Sequence, residues 1–210
     1  MSETGTWALI HAVARSLIDH ADELTELDRA IGDGDHGINM KRGAEAVLAK
    51  ADSLAARPLA ALLHQCGMTL VMTVGGASGP LYGTLLLELG KALQAQPEPP
   101  DRTSLAAALG QAVLAVKARG RSDAGQKTLL DVLVPLQQAL AGDQPLVTLG
   151  SLALAAAEAT TPMLARRGRA SFLGERSIGH MDPGARSSAL MVVALLAALP
   201  TATTDPGLTP

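Results

Sequence analysis

Three aspartates stand close together in a short segment that glycines interrupt: Asp28, Asp33 and Asp35 in LDRAIGDGDHGINMKRG. A glycine inside a helix costs about 1 kcal/mol relative to alanine, so this segment is predicted to form a turn. Carboxylates held this close repel one another unless a cation lies between them. Mg²⁺ commonly binds one or two carboxylates together with substrate phosphates, so the segment indicates a metal–phosphate site.

A second interpretation of the same segment requires no metal. Asp–Gly pairs commonly form turns, and Asp33 or Asp35 could instead cap the helix that follows. An EF-hand loop starting at Asp33 is excluded, because Gly37 would be its fifth residue and Ala44 would stand where the closing glutamate belongs. From the turn alone, a structural role and a metal-binding role both stay open.

The composition indicates one helical domain with an aliphatic core. Leucine and alanine dominate the 210 residues, and Trp7, Tyr82 and Phe172 are the only aromatic residues. The net charge of −3, without a basic stripe, argues against nucleic-acid binding. The single cysteine, Cys66, excludes an internal disulfide and fits a reducing compartment.

No segment is predicted to enter or cross a membrane. The N-terminus lacks the pattern of a secretory signal, and the most apolar stretch, SSALMVVALLAALP, is too short to span a bilayer. We therefore expect a soluble cytoplasmic protein without a membrane partner. Residues 1–200 are expected to form the domain, and the small, polar, proline-bearing residues 201–210 to form a disordered tail.

Apolar residues recur at helical spacing in about eight runs, without convincing strand alternation. With short connections between the runs, this predicts an all-α domain of antiparallel neighbours. Thr103 or Ser104 is expected to cap the fifth helix. The runs cover approximately residues 6–24, 38–53, 58–73, 80–94, 104–120, 128–141, 149–164 and 184–199.

Two further glycine-marked loops carry groups that could bind phosphate. Residues 74–83, VGGASGPLYG, open a helical run, and the free N–H groups at a helix start attract anions. Close helix contact through these glycines is an equally good explanation. Lys127 and Thr128 could contact phosphate or base, although a plain loop is the simpler interpretation. Neither a P-loop nor a dinucleotide fingerprint is present.

The longest segment without helical period is residues 166–183, RRGRASFLGERSIGHMDP. Long connections in compact domains are usually functional or disordered. Phe172, Leu173 and Ile178 supply apolar groups to bury, so we expect an ordered functional loop. His180 raises the idea of a phosphohistidine, but a lone histidine is more often structural. Four arginines suit phosphate recognition, or form a solvated basic turn: Arg166, Arg167, Arg169 and Arg176.

Three motifs together resemble the nucleotide-binding L subunits of bacterial dihydroxyacetone kinases: LDRAIGDGDHGINMKRG, GMTLVMTVGGASGPLYGT and GRASFLGERSIGHMDPGARS. The resemblance covers nearly the whole chain, in the right order and spacing. It implies a single-domain antiparallel eight-helix barrel that holds ADP or ATP and two Mg²⁺ ions at one end. Asp28, Asp33 and Asp35 would ligate the magnesium through their carboxylates.

The same resemblance implies a set of nucleotide-binding residues and no covalent nucleophile. Ala77 and Ser78 would contact phosphate, whereas Gly120 and Leu129 would flank the adenine. The family often has aspartate in place of Gln126 and methionine in place of Leu129, which affects the adenine side alone. The implied set is His36, Gly37, Ile38, Asn39, Ala77, Ser78, Gly120, Leu129, Arg169, Asp182, Pro183 and Gly184.

The resemblance also implies a phosphotransferase that acts with partner subunits. Bound ADP would be phosphorylated by a phosphohistidine on the M subunit of a phosphotransferase system. The resulting ATP would then phosphorylate dihydroxyacetone held on the K subunit. The alternatives are an ATP-exchanging kinase subunit for a related ketose or tetrose, a non-catalytic nucleotide-sensing coregulator that binds a transcriptional regulator, and a phosphocarrier that uses His36 or His180.

Overall fold

The computed structural model describes residues 3–199, so the expected tail at 201–210 lies outside the described part. All regular elements in this part are helices, which confirms the all-α prediction. A 3₁₀ helix occupies Arg169–Ser177. The α-helices are α1 (Glu3–Asp19), α2 (Ala21–Ile31), α3 (His36–Leu48), α4 (Ala51–Leu54), α5 (Leu59–Thr73), α6 (Ser78–Leu93), α7 (Arg102–Gly120), α8 (Leu130–Ala141), α9 (Leu146–Glu158) and α10 (Pro183–Ala197).

Two of the predicted runs each divide into two helices. The first breaks at His20, between α1 and α2, and the second breaks after Leu48, between α3 and α4. Both breaks lack a proline or glycine, so apolar periodicity continues across them. The seventh run ends at Glu158, short of the predicted residue 164, because Pro162 has no N–H to donate to the Glu158 carbonyl and its ring would crowd that carbonyl in a continued helix.

The predicted cap of α7 was wrong. Asp101, instead of Thr103 or Ser104, precedes the helix, and its carboxylate accepts the Ser104 N–H at 2.7 Å. Aspartate and serine are comparable N-caps, so the choice depends on where the backbone enters the helix. At α10 the same device recurs: Asp182 accepts the Ala185 N–H at 2.7 Å.

Within residues 3–199, eight helices close into a ring around an aliphatic core. In spatial order they are α1, α3, α5, α6, α7, α8, α9 and α10, and α10 returns to pack against α1. The shorter α2 packs against α3 and α10. The interior includes Leu24, Met40, Val116, Leu130 and Leu190. Among the described residues, no helix has both the length and the apolar character needed to cross a membrane.

Glycines set the spacing between the helices that carry the candidate loops. A Cβ added at Gly37 would lie 1.9 Å from the Ala21 carbonyl oxygen, so α3 approaches α2 with backbone against backbone. Between α5 and α6, a Cβ at Gly83 would lie 2.4 Å from a Val71 methyl group. These contacts fix the α2–α3 and α5–α6 connections, which lie at the same end of the ring.

Candidate functional site

The glycine-marked loops converge at one end of the ring around a cavity of about 390 Å³. Its wall includes the last turns of α2 and α7 and the first turns of α3, α6 and α10. The sequence could predict the loops but not their meeting. Of the predicted site residues, the cavity is lined by Asp28, Asp33, Asp35, His36, Ala77, Ser78, Gly120, Leu129, Arg169, Asp182, Pro183 and Gly184.

A larger cavity of about 790 Å³ lies at the opposite end, between α5, α6 and residues 94–100. It brings together neither a carboxylate cluster nor the glycine-rich loops. Ligand sites are recognised by convergent polar groups in a concave surface more than by size. The smaller cavity is therefore the candidate site.

Asp28 organises the turn between α2 and α3. Its buried Oδ2 accepts the backbone N–H groups of Asp35 at 2.8 Å and His36 at 3.1 Å. A Cβ at residue 32 would lie 2.1 Å from Asp28 Oδ1, so glycine is needed there for the carboxylate to fit. Asp28 therefore satisfies the start of α3 in place of a neighbouring cap residue.

The three predicted aspartates form one cluster. One carboxylate oxygen from each of Asp28, Asp33 and Asp35 lies within 4.8 Å of the other two. Partial burial raises the pKa of Asp35, and the charge of Asp33 adds to the rise. The capping interpretation is wrong for Asp35, whose side chain makes no cap hydrogen bond although it precedes α3.

Arg169 is the cation that meets this cluster. Its Nη2 lies 3.0 Å from Asp33 Oδ2, and it reaches the cluster from the 3₁₀ helix far along the chain. Both side chains are substantially exposed, so this ion pair contributes little to stability. It places a guanidinium beside the cavity, and guanidinium groups suit bidentate contact with phosphate oxygens.

His36 forms part of a buried polar network under the cavity. Its Nδ1 lies 3.0 Å from Ser78 Oγ, and its Nε2 lies 2.9 Å from Ser187 Oγ. Burial lowers the pKa of His36 to about 4, so the ring is neutral at physiological pH. Tyr82 extends the network by donating to the Gly184 carbonyl at 2.8 Å, which ties α3, α6 and α10 together.

Two further carboxylates are buried near the site: Asp182 lines the cavity, whereas Asp131 does not. Burial raises the pKa of Asp182 to about 7, outweighing the N–H that this side chain accepts. Asp131 holds the α7–α8 loop by accepting N–H groups from Gly125 at 2.5 Å and Thr128 at 2.7 Å. Tyr82 and Ser187 could not be recognised from the sequence, because their partners are far away in the chain. Asp131 was missed although both of its partners lie within six residues of it.

Three of the implied nucleotide residues do not line the cavity. Gly37 faces α2, and the side chain of Ile38 is exposed on the outside of α3. Asn39 is buried and hydrogen-bonds the Asp35 carboxylate, so its amide orients a member of the acidic cluster. The amides of Gly37 and Ile38 still lie in the first helical turn, where no intrahelical acceptor exists.

The long loop is ordered, but its expected apolar burial is only partly right. Leu173 packs against Ile31, Ala165 and Ala170. Phe172, in contrast, is 89% exposed, and Ile178 is 45% exposed. Periodicity could not reveal this difference, because the 3₁₀ helix turns consecutive side chains in different directions.

Lowering the pH from 6.5 to 4 should destabilise the wild-type protein more than its His36→Gln variant. The folded-state pKa of His36 is depressed, so in this range the unfolded chain takes up a proton that the folded chain does not. The difference should reach up to about 3 kcal/mol in the free energy of unfolding. Urea denaturation at several pH values measures it.

The exposed His11 supplies the control, since His11→Gln should follow the wild-type pH profile. Parallel profiles for wild type and His36→Gln would show that His36 titrates normally and is not held in the neutral state.

Comparison with known proteins places this geometry in a family. The DAK2 domain matches residues 30–197. The ADP-binding subunit DhaL of PEP-dependent dihydroxyacetone kinase 1 from Listeria innocua is 41% identical over 192 residues, covering 90% of this chain and 94% of that protein. The ADP-binding subunit DhaL of the PEP-dependent dihydroxyacetone kinase of Escherichia coli K12 is 42% identical over 180 residues, covering 82% and 85%.

Solved structures give the same result. The crystal structure of the dihydroxyacetone kinase from C. freundii in complex with AMP-PNP and Mg²⁺ matches with a TM-score of 0.71 and 28% identity. The match covers 90% of this chain and 33% of that one, so this chain spans a third of that kinase. The family match, the two relatives and the shared helical fold agree: the chain belongs to the DAK2-domain family, together with the ADP-binding subunits of dihydroxyacetone kinases.

Proposed function

We propose that this chain is the ADP-binding subunit of a PEP-dependent dihydroxyacetone kinase. The observation that carries the proposal is the carboxylate cluster of Asp28, Asp33 and Asp35 on the wall of a cavity at one end of the barrel. The relatives from Listeria innocua and Escherichia coli that carry this name align with most of its length. The buried free thiol of Cys66 is compatible with the reducing cytoplasm, which we propose as its compartment.

The donor set fits Mg²⁺. Three carboxylates, without a histidine or cysteine in the cluster, form a hard oxygen environment, and their mutual repulsion favours a divalent cation. Two ions, as the family resemblance implies, would share the three side chains with phosphate oxygens. Magnesium supplies charge neutralisation of a transferring phosphoryl group when it is bound.

The cavity offers one group of residues for the phosphates of a nucleotide and another group for its base. Ala77 and Ser78 stand at the start of α6, where backbone N–H groups attract anions, and Arg169 lines the same cavity beside the acidic cluster. Leu129 and Pro183 offer apolar surface for a base, and Gly120 leaves room beside them. The nucleotide would therefore lie with its phosphates at the aspartates and its adenine between α7, α8 and α10.

No residue of the cavity needs to act as a covalent nucleophile. Phosphoryl transfer depends mainly on positioning and on charge stabilisation. Both ring nitrogens of the neutral His36 lie within hydrogen-bonding distance of serine hydroxyls, so this histidine is unsuited to carry a phosphoryl group. The protein would hold ADP in place while one partner delivers a phosphoryl group and another receives it.

The partners would dock at the end of the barrel that carries the site. Phe172 is exposed on the 3₁₀ helix beside Arg169, and Arg166, Arg167 and Arg176 are exposed on the same loop. An aromatic side chain among arginines is typical of an interface centre and favours an acidic partner surface with an apolar pocket. We propose that the K subunit and the phosphohistidine-bearing M subunit use this surface in turn, as would a transcriptional regulator.

Replacing Asp35 by asparagine should lower Mg²⁺-dependent ADP affinity and phosphoryl transfer. Residues that only hydrogen-bond to a metal ligand typically contribute about 10- to 100-fold to metal affinity or activity. Loss of the charge of a ligand itself should therefore lower ADP affinity and turnover at least about 100-fold. Calorimetric titration with ADP and Mg²⁺, together with coupled turnover, measures both effects. The helical circular dichroism signal should not change.

The matched control is Asp52→Asn, an exposed aspartate on α4 at the far end of the barrel. If Asp35→Asn binds ADP and Mg²⁺ as the wild type does, the carboxylate cluster is not the metal site and the proposed function loses its basis.

The phosphate source can be tested by removing free ADP. The protein, its partner subunits and the PEP-driven phosphotransferase system are mixed with an enzyme that degrades free ADP and ATP. Turnover should survive this treatment, because each Mg²⁺ would tie nucleotide oxygens to protein carboxylates and slow release. Complete loss of turnover would instead indicate a nucleotide that exchanges with solution at every cycle.

Replacing Phe172 by serine should weaken docking while leaving ADP affinity unchanged. Truncation of an aromatic anchor at an interface centre typically costs 2 kcal/mol or more, which corresponds to about thirtyfold weaker partner binding. Val147→Ser is the control, since Val147 is 86% exposed on the first turn of α9, away from the site. Equal partner affinity in both variants, measured by titration calorimetry, would exclude the proposed surface.

A further inference from the structure

A buried lysine, Lys127 in the loop between α7 and α8, connects this loop to the loop that carries Arg169. The two loops form one side of the site. Lys127 is 1% exposed, and its Nζ donates to the carbonyl oxygens of Ser177 at 2.7 Å, Met163 at 3.1 Å and Thr161 at 3.3 Å. An ammonium has three N–H donors, and three carbonyls engage them. Lys127 therefore has no donor left for a phosphate, although its residue type and its place in the cavity wall suggested that role.

Both the backbone conformation and the burial of Lys127 are energetically unfavourable. Lys127 has a φ of +62°, a left-handed conformation that lysine rarely adopts. Burying an ammonium is unfavourable unless hydrogen bonds compensate, and here burial lowers the pKa of Lys127. Strain of this kind is typical of residues whose geometry the surrounding structure needs.

The acceptors of Lys127 lie at both ends of residues 164–177, the arginine-bearing loop, which carries Arg166, Arg167, Arg169 and Arg176. Met163 precedes the loop and Ser177 ends it, so one ammonium closes the loop at its base. The Arg166 N–H donates to the Gln126 carbonyl at 3.2 Å, which ties the same two segments together again. Asp131 fixes the α7–α8 loop itself, because it accepts N–H groups from Gly125 and Thr128 on both sides of Lys127.

Above this base the loop packs through one small apolar cluster, which includes Ala170 and Leu173. Gly168 and Gly174 have φ values of +70° and +57°, and no atom of the described residues lies within 4 Å of the place where either would carry a Cβ. Between these glycines stands Arg169, the residue that meets the acidic cluster. The place of Arg169 therefore depends on the closure at the base and on the packing of Ala170 and Leu173 against Ile31. The Ala165 N–H, which is donated to Ser177 Oγ, also contributes to this closure.

We propose that Lys127 is a positioning residue for the nucleotide site, which closes the base of the loop and thereby holds Arg169 at the phosphate end of the cavity. This assignment rests on the proposed function for the identity of the ligand. The closure of the loop by Lys127 is independent of the proposed function and can be measured in the protein without nucleotide.

The first experiment is limited trypsin digestion of the nucleotide-free protein, followed by mass spectrometry. Lys127→Met keeps the length of the side chain and removes the charged donor. Because hydrogen bonds to a charged group contribute more than neutral ones, cleavage after Arg166, Arg167, Arg169 and Arg176 should accelerate at least about tenfold. Cleavage after Lys50, in the α3–α4 turn at the other end, is the internal reference and should not change.

Two further variants keep this test decisive. Lys91→Met, at an exposed lysine in the last turn of α6, should show wild-type cleavage. Lys127→Gly relieves the left-handed backbone while it removes the ammonium, so it should fold and should still show faster loop cleavage. If cleavage in the loop and after Lys50 rises equally, Lys127 supports general stability and the proposal is wrong.

The second experiment is a double-mutant cycle on ADP affinity in the presence of Mg²⁺. Lys127→Met should weaken ADP binding about tenfold in the wild-type background, and should have no further effect in the Arg169→Ala background. An equal loss in both backgrounds would overturn the positioning role. If the wild-type protein binds no ADP, the proposed function fails, while the digestion still decides whether Lys127 closes the loop.

Discussion

The site depends on one buried carboxylate. Asp28 accepts two backbone N–H groups from the turn between α2 and α3, and these bonds, with the positive end of the α3 dipole, compensate for its burial. The same contact draws Asp35 and Asp33 into reach of Asp28. A single interaction therefore forms the turn and concentrates the negative charge, so that the folding of this segment and its affinity for a cation have a common cause.

The barrel makes this arrangement rigid. The aliphatic interior ends below the cavity in a layer of hydrogen-bonded polar side chains, where His36, Ser78, Ser187 and Tyr82 join three helices. Among the described residues, no fully buried side-chain nitrogen or oxygen lacks a hydrogen-bond partner. Networks that are fully satisfied hold one arrangement, because any shift leaves a polar group unpaired in a medium of low polarity. This polar layer can hold the carboxylates and the start of α6 in a geometry that suits phosphate binding.

Local sequence patterns were sufficient to predict the acidic turn, the glycine-rich loops and most helices. Helix ends were less predictable: a break at His20 leaves the apolar pattern intact, and Asp101 competes with Thr103 and Ser104 as a cap. The exposure of Phe172 could not be predicted, because an aromatic residue outside the periodic helices packs only where the fold brings a neighbour, and among the described residues its side chain stays 89% exposed. The sequence left a contact to phosphate or base and a plain loop both open for Lys127, since residue type alone does not reveal three carbonyls that arrive from another loop.

By itself the sequence determined the helical class, the aliphatic core, the chemistry of the acidic turn and, through its three motifs, the family. These properties follow from residue type and short spacing, which act within a few turns of the chain. The tertiary structure alone decided that distant loops meet in one cavity, that Arg169 faces Asp33, and that Lys127 serves as an anchor. Those facts depend on how the helices close into a ring, and that closure results from contacts between residues far apart in the chain.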